Sequence, residues 1–183
     1  MSIEKCLVEN CASTLASLKT GSMFNIEYES SDALMNHLTS WNQILNGKGV
    51  FVTVLKCSEQ KALIYVYRKS GLEKELREED IQAFLSHYGY KNFDIDSVLS
   101  RLRLHFSETE FPHEIGIFLG YPLADVIGFI ENEGKNFQCL GCWKVYCNRQ
   151  EAEKMFGKIR KCKAIYSDLW KQGKSILQLT VAK

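Results

Sequence analysis

Proline is nearly absent from this chain: Pro112 and Pro122 are the only two in 183 residues, and they bracket one decapeptide. Elsewhere no glycine-rich linker, repeat or low-complexity tract marks a boundary, so a single domain over 1–183 is expected. No run of about eighteen apolar residues occurs, which removes a membrane-spanning helix, and the start Met1-Ser-Ile-Glu-Lys-Cys6 lacks the apolar stretch of an export signal. An excess of one charge is missing too. The 23 Lys+Arg meet 22 Asp+Glu, so no overall field gathers polyanions, and nucleic acid is disfavoured as a partner. The G-x-G-x-x-G, Walker, H-E-x-x-H and G-x-S-x-G patterns do not occur, which takes away the usual sequence grounds for nucleotide hydrolysis or zincin chemistry.

Cysteine is plentiful but odd in number, with seven residues: Cys6, Cys11, Cys57, Cys139, Cys142, Cys147 and Cys162. Without an export signal, an odd count points to free thiols in a reducing, cytoplasmic setting rather than to a disulfide framework.

Apolar spacing supplies the fold class. Residues 3–19 predict one or two short helices, and a break at 19–22 precedes an extended piece from Met23 to Tyr28. Leu34, Leu38, Trp41 and Leu45 recur at helical spacing, with Ser31 or Asp32 as caps and Gly47 as the stop. The runs 49–55 and 61–67 predict a hairpin of central strands covered on both faces. Helices follow at about 77–88 and 94–106, the second capped by Asp94, and at 123–133, where Gly134 ends it. Cys142 to Cys147 predicts a strand. A long helical stripe joins Ala152, Met155, Phe156, Ile159, Cys162, Tyr166 and Leu169, and Ser175 to Val181 predicts a closing strand. The sum is an α+β single domain, with a small, mainly antiparallel or mixed sheet of about four to five strands packed with helices.

The proline-bracketed segment is the densest in chemistry. His113 and Glu114 follow Pro112, Gly116 and Gly120 flank Ile117-Phe-Leu119, and Tyr121-Pro122 leads into a helix with Asp125 in its first turn. Proline at a helix start and an acid in its first turn both suit the unpaired, partly positive N–H groups there. Two short helices meeting at Gly120 are expected. In a functional reading, the glycines let backbone approach a ligand, with His113 as the titratable group and Glu114 or Tyr121 as its polar partner. In a structural reading, the glycines only permit close helix packing.

The stretch Phe111-Pro-His-Glu-Ile-Gly-Ile-Phe-Leu-Gly-Tyr-Pro-Leu-Ala-Asp-Val-Ile-Gly-Phe-Ile130 resembles the hallmark of a bacterial domain-of-unknown-function family, number 3793, found mainly in anaerobes. The resemblance extends over essentially the whole chain, with lesser landmarks at Cys11 to Lys19, Tyr65 to Arg68 and Cys142 to Tyr146. It implies no activity, cofactor or catalytic residue. It does imply proline in place of Ser13 and Thr20, and glycine in place of Ser17.

Three chemistries compete for the remaining residues. Cys11, if it begins a helix, is a nucleophile whose thiolate the N–H groups stabilise; His113 as base and Glu114 as orienter complete a cysteine-nucleophile enzyme. Cys139 and Cys142 form a C-x2-C pair, a weak candidate for metal. Lys154, Lys158, Arg160, Lys161 and Lys163 make a basic face on the last long helix, suited to an interaction module with an acidic protein partner. The leading expectation is a small-molecule or cofactor-binding protein, with a redox or iron-related role suggested by the thiols. Its pocket combines Lys19, Arg68, Gly116, Gly120, Tyr121, Asp125, Trp143, Lys144 and Tyr146. The residues name no particular cofactor.

Overall fold

The computed structural model describes residues 3–109 and 111–182. Three antiparallel strands form its main sheet, β1 (Gly21–Glu27), β2 (Val50–Cys57) and β3 (Lys61–Arg68), in the order β1-β3-β2. The expected hairpin is β2 and β3. Because β3 is central, its alternating side chains enter two cores. Ala62, Ile64 and Val66 pack with α1 (Ile3–Leu15) and α2 (Ser31–Leu45), whereas Tyr65 and Tyr67 pack with residues of the later helices.

The near-continuous apolar run of β3 thus reflects cover on both faces, as expected, but β2 is an edge strand. Its free backbone is not left open to other chains. Asn42 of α2 donates from Nδ2 to the Val52 carbonyl at 2.8 Å and accepts the Val52 N–H at 2.9 Å, behaving as a short length of strand. Farther along the same edge, Arg103 donates to the Val54 carbonyl at 2.9 Å and to the Thr53 hydroxyl at 2.7 Å. Leu55, left unpaired at a register shift between Val54 and Lys56, enters the second core with Phe51, on the face opposite Val50 and Val52 that alternation assigns it.

Helix α2 buries Leu34, Leu38, Trp41 and Leu45 as their spacing predicts. Its cap is Ser30 rather than Ser31 or Asp32: Ser30 keeps an extended backbone, and its hydroxyl accepts the Ala33 N–H at 3.2 Å. Nor does Gly47 stop it. The chain tightens into a 3-10 turn over Asn46–Lys48, which Gly49 ends at a φ of 76°.

The second core gathers α3 (Lys69–Glu75), α4 (Glu79–Ser86), α5 (Ile95–Glu108), α6 (Ile115–Phe118) and α7 (Leu123–Glu131). Of these, α3 has no counterpart in the sequence reading. Asp94 caps α5, accepting the Ser97 N–H at 2.9 Å. A two-stranded ribbon, β4 (Cys139–Leu140) with β5 (Lys144–Val145), stands where one strand from Cys142 to Cys147 was expected. Helix α8 (Arg149–Lys171) then packs from this ribbon to α1, with Phe156 in the ribbon's cluster and the Cys162 thiol 3.5 Å from the Ala12 carbonyl.

The closing strand expected over Ser175 to Val181 is instead a helical turn, α9 (Ile176–Leu179). Ser175 and Gln178 form a reciprocal capping box, and Ile176 and Leu179, three apart, are both buried. The Ser-x-x-Gln spacing outweighs the apparent alternation around it. No described helix is long and apolar enough to cross a membrane.

The C-terminal end of α1 carries one strained residue. Leu18 N–H bonds the Ser13 carbonyl at 2.8 Å and Ser17 N–H bonds the Thr14 carbonyl at 3.1 Å, the paired bonds of a Schellman cap with Ser17 in its left-handed position. Ser17 has a φ of 62°, and its hydroxyl is buried with no hydrogen-bond partner among the described residues. Here the resemblance implied glycine, which enters this conformation without the Cβ clash. Ser17→Gly is expected to stabilise the protein by about 1 kcal/mol, the penalty an L-residue carries in this region. A rise in the urea midpoint at unchanged slope would show it, and a fall would mean that the Ser17 hydroxyl stabilises the folded chain.

Candidate functional site

The proline-bracketed segment folds as two short helices, α6 and α7, joined at Gly120 with a φ of 75°. Its glycines serve packing. A Cβ on Gly120 would stand 3.0 Å from the Thr20 hydroxyl oxygen and 3.1 Å from the Thr20 backbone nitrogen, and one on Gly116 would stand 2.7 Å from a Val126 methyl. Gly120 therefore brings α6 and α7 against the strand-entry loop that follows α1. That approach carries Lys19 over the ring of Tyr121, with Nζ 5.1 Å from the centroid.

Tyr121 stacks on Trp143 at 5.0 Å between centroids with 28° between planes, and its hydroxyl donates to the Cys142 carbonyl at 3.3 Å. Burial is the main cause that pushes the Tyr121 phenol up to about 12, so it stays a neutral donor. Burial likewise lowers the Lys19 ammonium from its ordinary value.

Asp125, in the first turn of α7, organises the ribbon. Its Oδ2 accepts the Trp143 indole N–H at 2.8 Å, and its Oδ1 accepts the backbone N–H groups of Tyr146 at 2.8 Å and Cys147 at 3.0 Å. The carboxylate is 3 % exposed and fully engaged, which makes it the clasp of the site rather than a group free for a ligand. Tyr146 lies against α7, where a Cβ on Gly128 would come within 2.5 Å of its ring. Lys144 is committed as well: Nζ donates to the Gly134 carbonyl at 2.7 Å and sits over the rings of Phe129 and Phe137 at 5.6 and 5.2 Å.

Between these groups lies a cleft of about 260 Å³. His113, Gly116, Tyr121, Asp125, Trp143 and Lys144 all line it, together with Phe129, which sequence reasoning did not select. The His113 ring packs edge-on to Phe129 at 5.1 Å. The walls are aromatic and aliphatic, and the His113 imidazole is the polar group at the rim without an internal hydrogen bond among the described residues. Another hollow, of about 730 Å³, lies among Asn25, Glu27, Lys56 and Lys61 at the end of the sheet near the β2–β3 turn, and none of the selected site residues lines it.

Arg68 and Cys11 lie elsewhere. Arg68 is not an anion partner for the aromatic pocket: it is 2 % exposed and donates to backbone carbonyls at the end of α1 and of the chain. Cys11 does not begin a helix but sits inside α1, and it is completely buried among Leu7, Val8, Leu15 and the Ile64 and Val66 side chains. Burial drives its thiol well above the ordinary value, opposite to what a nucleophile needs. Ile115 and Ile117, which flank the histidine segment, pack in the other core, so the sheet separates Cys11 from His113 and the cysteine–histidine pair does not form.

Glu114 is 1 % exposed and turns inward, away from His113. Its Oε1 accepts hydrogen bonds from His105 Nδ1 and, at 3.2 Å, from the Tyr90 hydroxyl. Burial, and then the Glu114 charge, push the Tyr90 phenol upward. His105 and Tyr90 went unselected, although His105 falls on the apolar stripe of α5, three residues after Leu102. A histidine at a core position of an amphipathic helix signals a buried partner.

Among the described residues, no three His, Cys, Asp or Glu side chains stand close enough to hold a metal ion. Cys142 lines the aromatic cleft and, like Cys139, packs against the Val145 and Phe156 cluster, whereas Cys162 turns to α1. The basic residues Lys154, Lys158, Arg160, Lys161 and Lys163 are all exposed along α8, with Lys154 paired to Glu151 at 2.8 Å.

No curated protein and no solved structure matches the chain. The model of one family, described as "Protein of unknown function (DUF3793)", matches residues 7–180, which include the whole Phe111 to Ile130 stretch, and the chain belongs to that family.

Proposed function

We propose that this chain is a cytoplasmic binding protein for a small planar molecule or cofactor, held in the aromatic cleft between α6, α7 and the β4–β5 ribbon. The observation that carries the reading is the convergence of three distant segments on one stacked pair. Lys19, Tyr121 and Trp143 come from the loop after α1, the turn before α7 and the ribbon, and Asp125 fixes the indole by its N–H. An aromatic pair so held presents flat walls at little further cost in side-chain entropy. The cleft, at about 260 Å³, suits one or two fused rings. With Asp125 and Lys144 already engaged, the ligand is held mainly by stacking and apolar contact, and His113 at the rim gives one polar contact.

The test is ¹⁵N-resolved NMR of the full chain with quinoline as a planar probe and cyclohexanol as a non-planar control. Quinoline is expected to move the Trp143 indole N–H signal and the amides of 113–129, and Tyr121→Ala to weaken it about tenfold, or ~1.4 kcal/mol. Equal response to cyclohexanol, or shifts that avoid these residues, would remove the proposal.

A further inference from the structure

A second cleft, of about 570 Å³, opens on the other side of His113 between the α4–α5 turn, α5 and the start of the 111–114 segment. Three of the chain's four histidines, His87, His105 and His113, line it. No three metal-ligating side chains meet there among the described residues, so its chemistry rests on other groups.

The first is Arg101. Its Nε and Nη2 both donate to the Tyr88 carbonyl, at 3.2 Å each, which fixes the plane of the guanidinium. Gly89 makes room for it: at a φ of 81°, with a Cβ position 2.7 Å from Nη2, this residue admits glycine alone without a shift of the arginine. No carboxylate lies within salt-bridge distance of Arg101 among the described residues. Because the Nε side of the fork is occupied, the Nη1–Nη2 end remains, and that end matches a carboxylate with two parallel hydrogen bonds.

The second is His105, one turn farther along the same face of α5 and 8 % exposed. Glu114 takes its Nδ1, and Tyr90 holds the same carboxylate oxygen, so the ring cannot rotate without breaking a buried bond. Its Nε2 has no partner among the described residues, and the His105 side chain lines the cleft. A carboxylate behind an imidazole is the arrangement that fixes tautomer and direction for a proton-exchanging nitrogen. Glu108, a further turn on at the exposed rim, repels a second negative charge and so favours a ligand with one anionic end.

We propose that this cleft binds a small monocarboxylate, its carboxylate forked by Arg101 and a second polar group hydrogen-bonded to His105 Nε2. The site shares only the His113 wall with the aromatic cleft, and its polar groups, Arg101 and His105, are not part of that cleft. In ¹⁵N NMR of the full chain, acetate and 3-hydroxybutyrate are expected to shift the Arg101 side-chain N–H and the His105 ring nitrogens, the hydroxy acid binding more tightly. Arg101→Gln is expected to weaken both by about tenfold or more, and Arg101→Lys to restore only part, since an ammonium cannot fork. His105→Gln, checked for an intact amide spectrum, is expected to erase the advantage of the hydroxy acid while acetate still binds. Binding unchanged in Arg101→Gln, a response to inorganic phosphate alone, or no shift at either residue would overturn the assignment.

Discussion

Arg68→Met is expected to destabilise the protein by about 3–5 kcal/mol, a large share of what holds a domain of this size together. Arg68 ends β3 on the same side as Ile64 and Val66, so strand parity drives a cation into the core beneath α1. It is accommodated there by carbonyls. Nε donates to the Thr14 oxygen at 2.7 Å, and Nη2 donates to the Leu15 oxygen and, at 2.8 Å, to Val181. Thr14 and Leu15 are at the C-terminal end of α1, where helix carbonyls lack internal donors and carry partial negative charge. One guanidinium therefore adds a second, charged donor to two helix-end carbonyls that the Ser17 and Val181 N–H groups already engage, offsets the helix dipole and ties down the C-terminal segment.

Methionine matches much of the volume but removes three charge-assisted hydrogen bonds, at about 1.5–3 kcal/mol each less the guanidinium's own desolvation. Thr14 and Leu15 keep one donor each, the N–H groups of Ser17 and Val181, whereas the Val181 carbonyl keeps none among the described residues. Arg68→Lys is expected to recover less than half of the loss, because one ammonium cannot reach carbonyls on both sides of the fork. Urea unfolding followed by circular dichroism measures both. A loss below about 1 kcal/mol for Arg68→Met would mean that water replaces the guanidinium and the site is less dry than its 2 % exposure implies.

Arg68 also shows where the sequence was legible and where it was not. Its burial was encoded in the alternation of β3, yet its chemistry drew attention to ligands, and only the tertiary position of α1 reveals that carbonyls are its partners. Periodic elements were readable throughout: the stripe of α2, the β2–β3 hairpin, α5 with its Asp94 cap, and the long stripe of α8 all follow local spacing. Partner choice between elements was not. Glu114 is adjacent to His113 in sequence but bonds His105, because a helical turn at 113–116 points neighbouring side chains in different directions. Cys11 was expected to begin a second short helix, whereas α1 runs unbroken from Ile3 to Leu15. The convergence on Tyr121 and Trp143 was expected from the segments, but their mutual stacking depends on Gly120 and Asp125.

Asp125→Ala is expected to release the 138–147 segment while leaving the main sheet folded, at a cost of about 2–4 kcal/mol to that segment. The ribbon has only two bridged pairs, Cys139 with Val145 and Leu140 with Lys144, far too few to stand alone in water. Asp125 supplies what the ladder lacks, holding the backbone N–H groups of Tyr146 and Cys147 on one oxygen and the Trp143 indole on the other. Its place in the first turn of α7 adds the favourable field of the helix N-terminus. Asparagine is not a substitute, because its amide nitrogen must face either the indole N–H or the two backbone donors. In hydrogen exchange, the amides of Tyr146 and Cys147 should lose protection in both variants, while those of Ile64 and Val66 in β3 keep theirs. Quinoline binding should disappear with them, since without the bond from Trp143 the aromatic wall has no fixed position. If the two amides stay protected in Asp125→Ala, the ribbon is held instead by its packing on Phe156, and the cleft owes its shape to α8 rather than to the carboxylate.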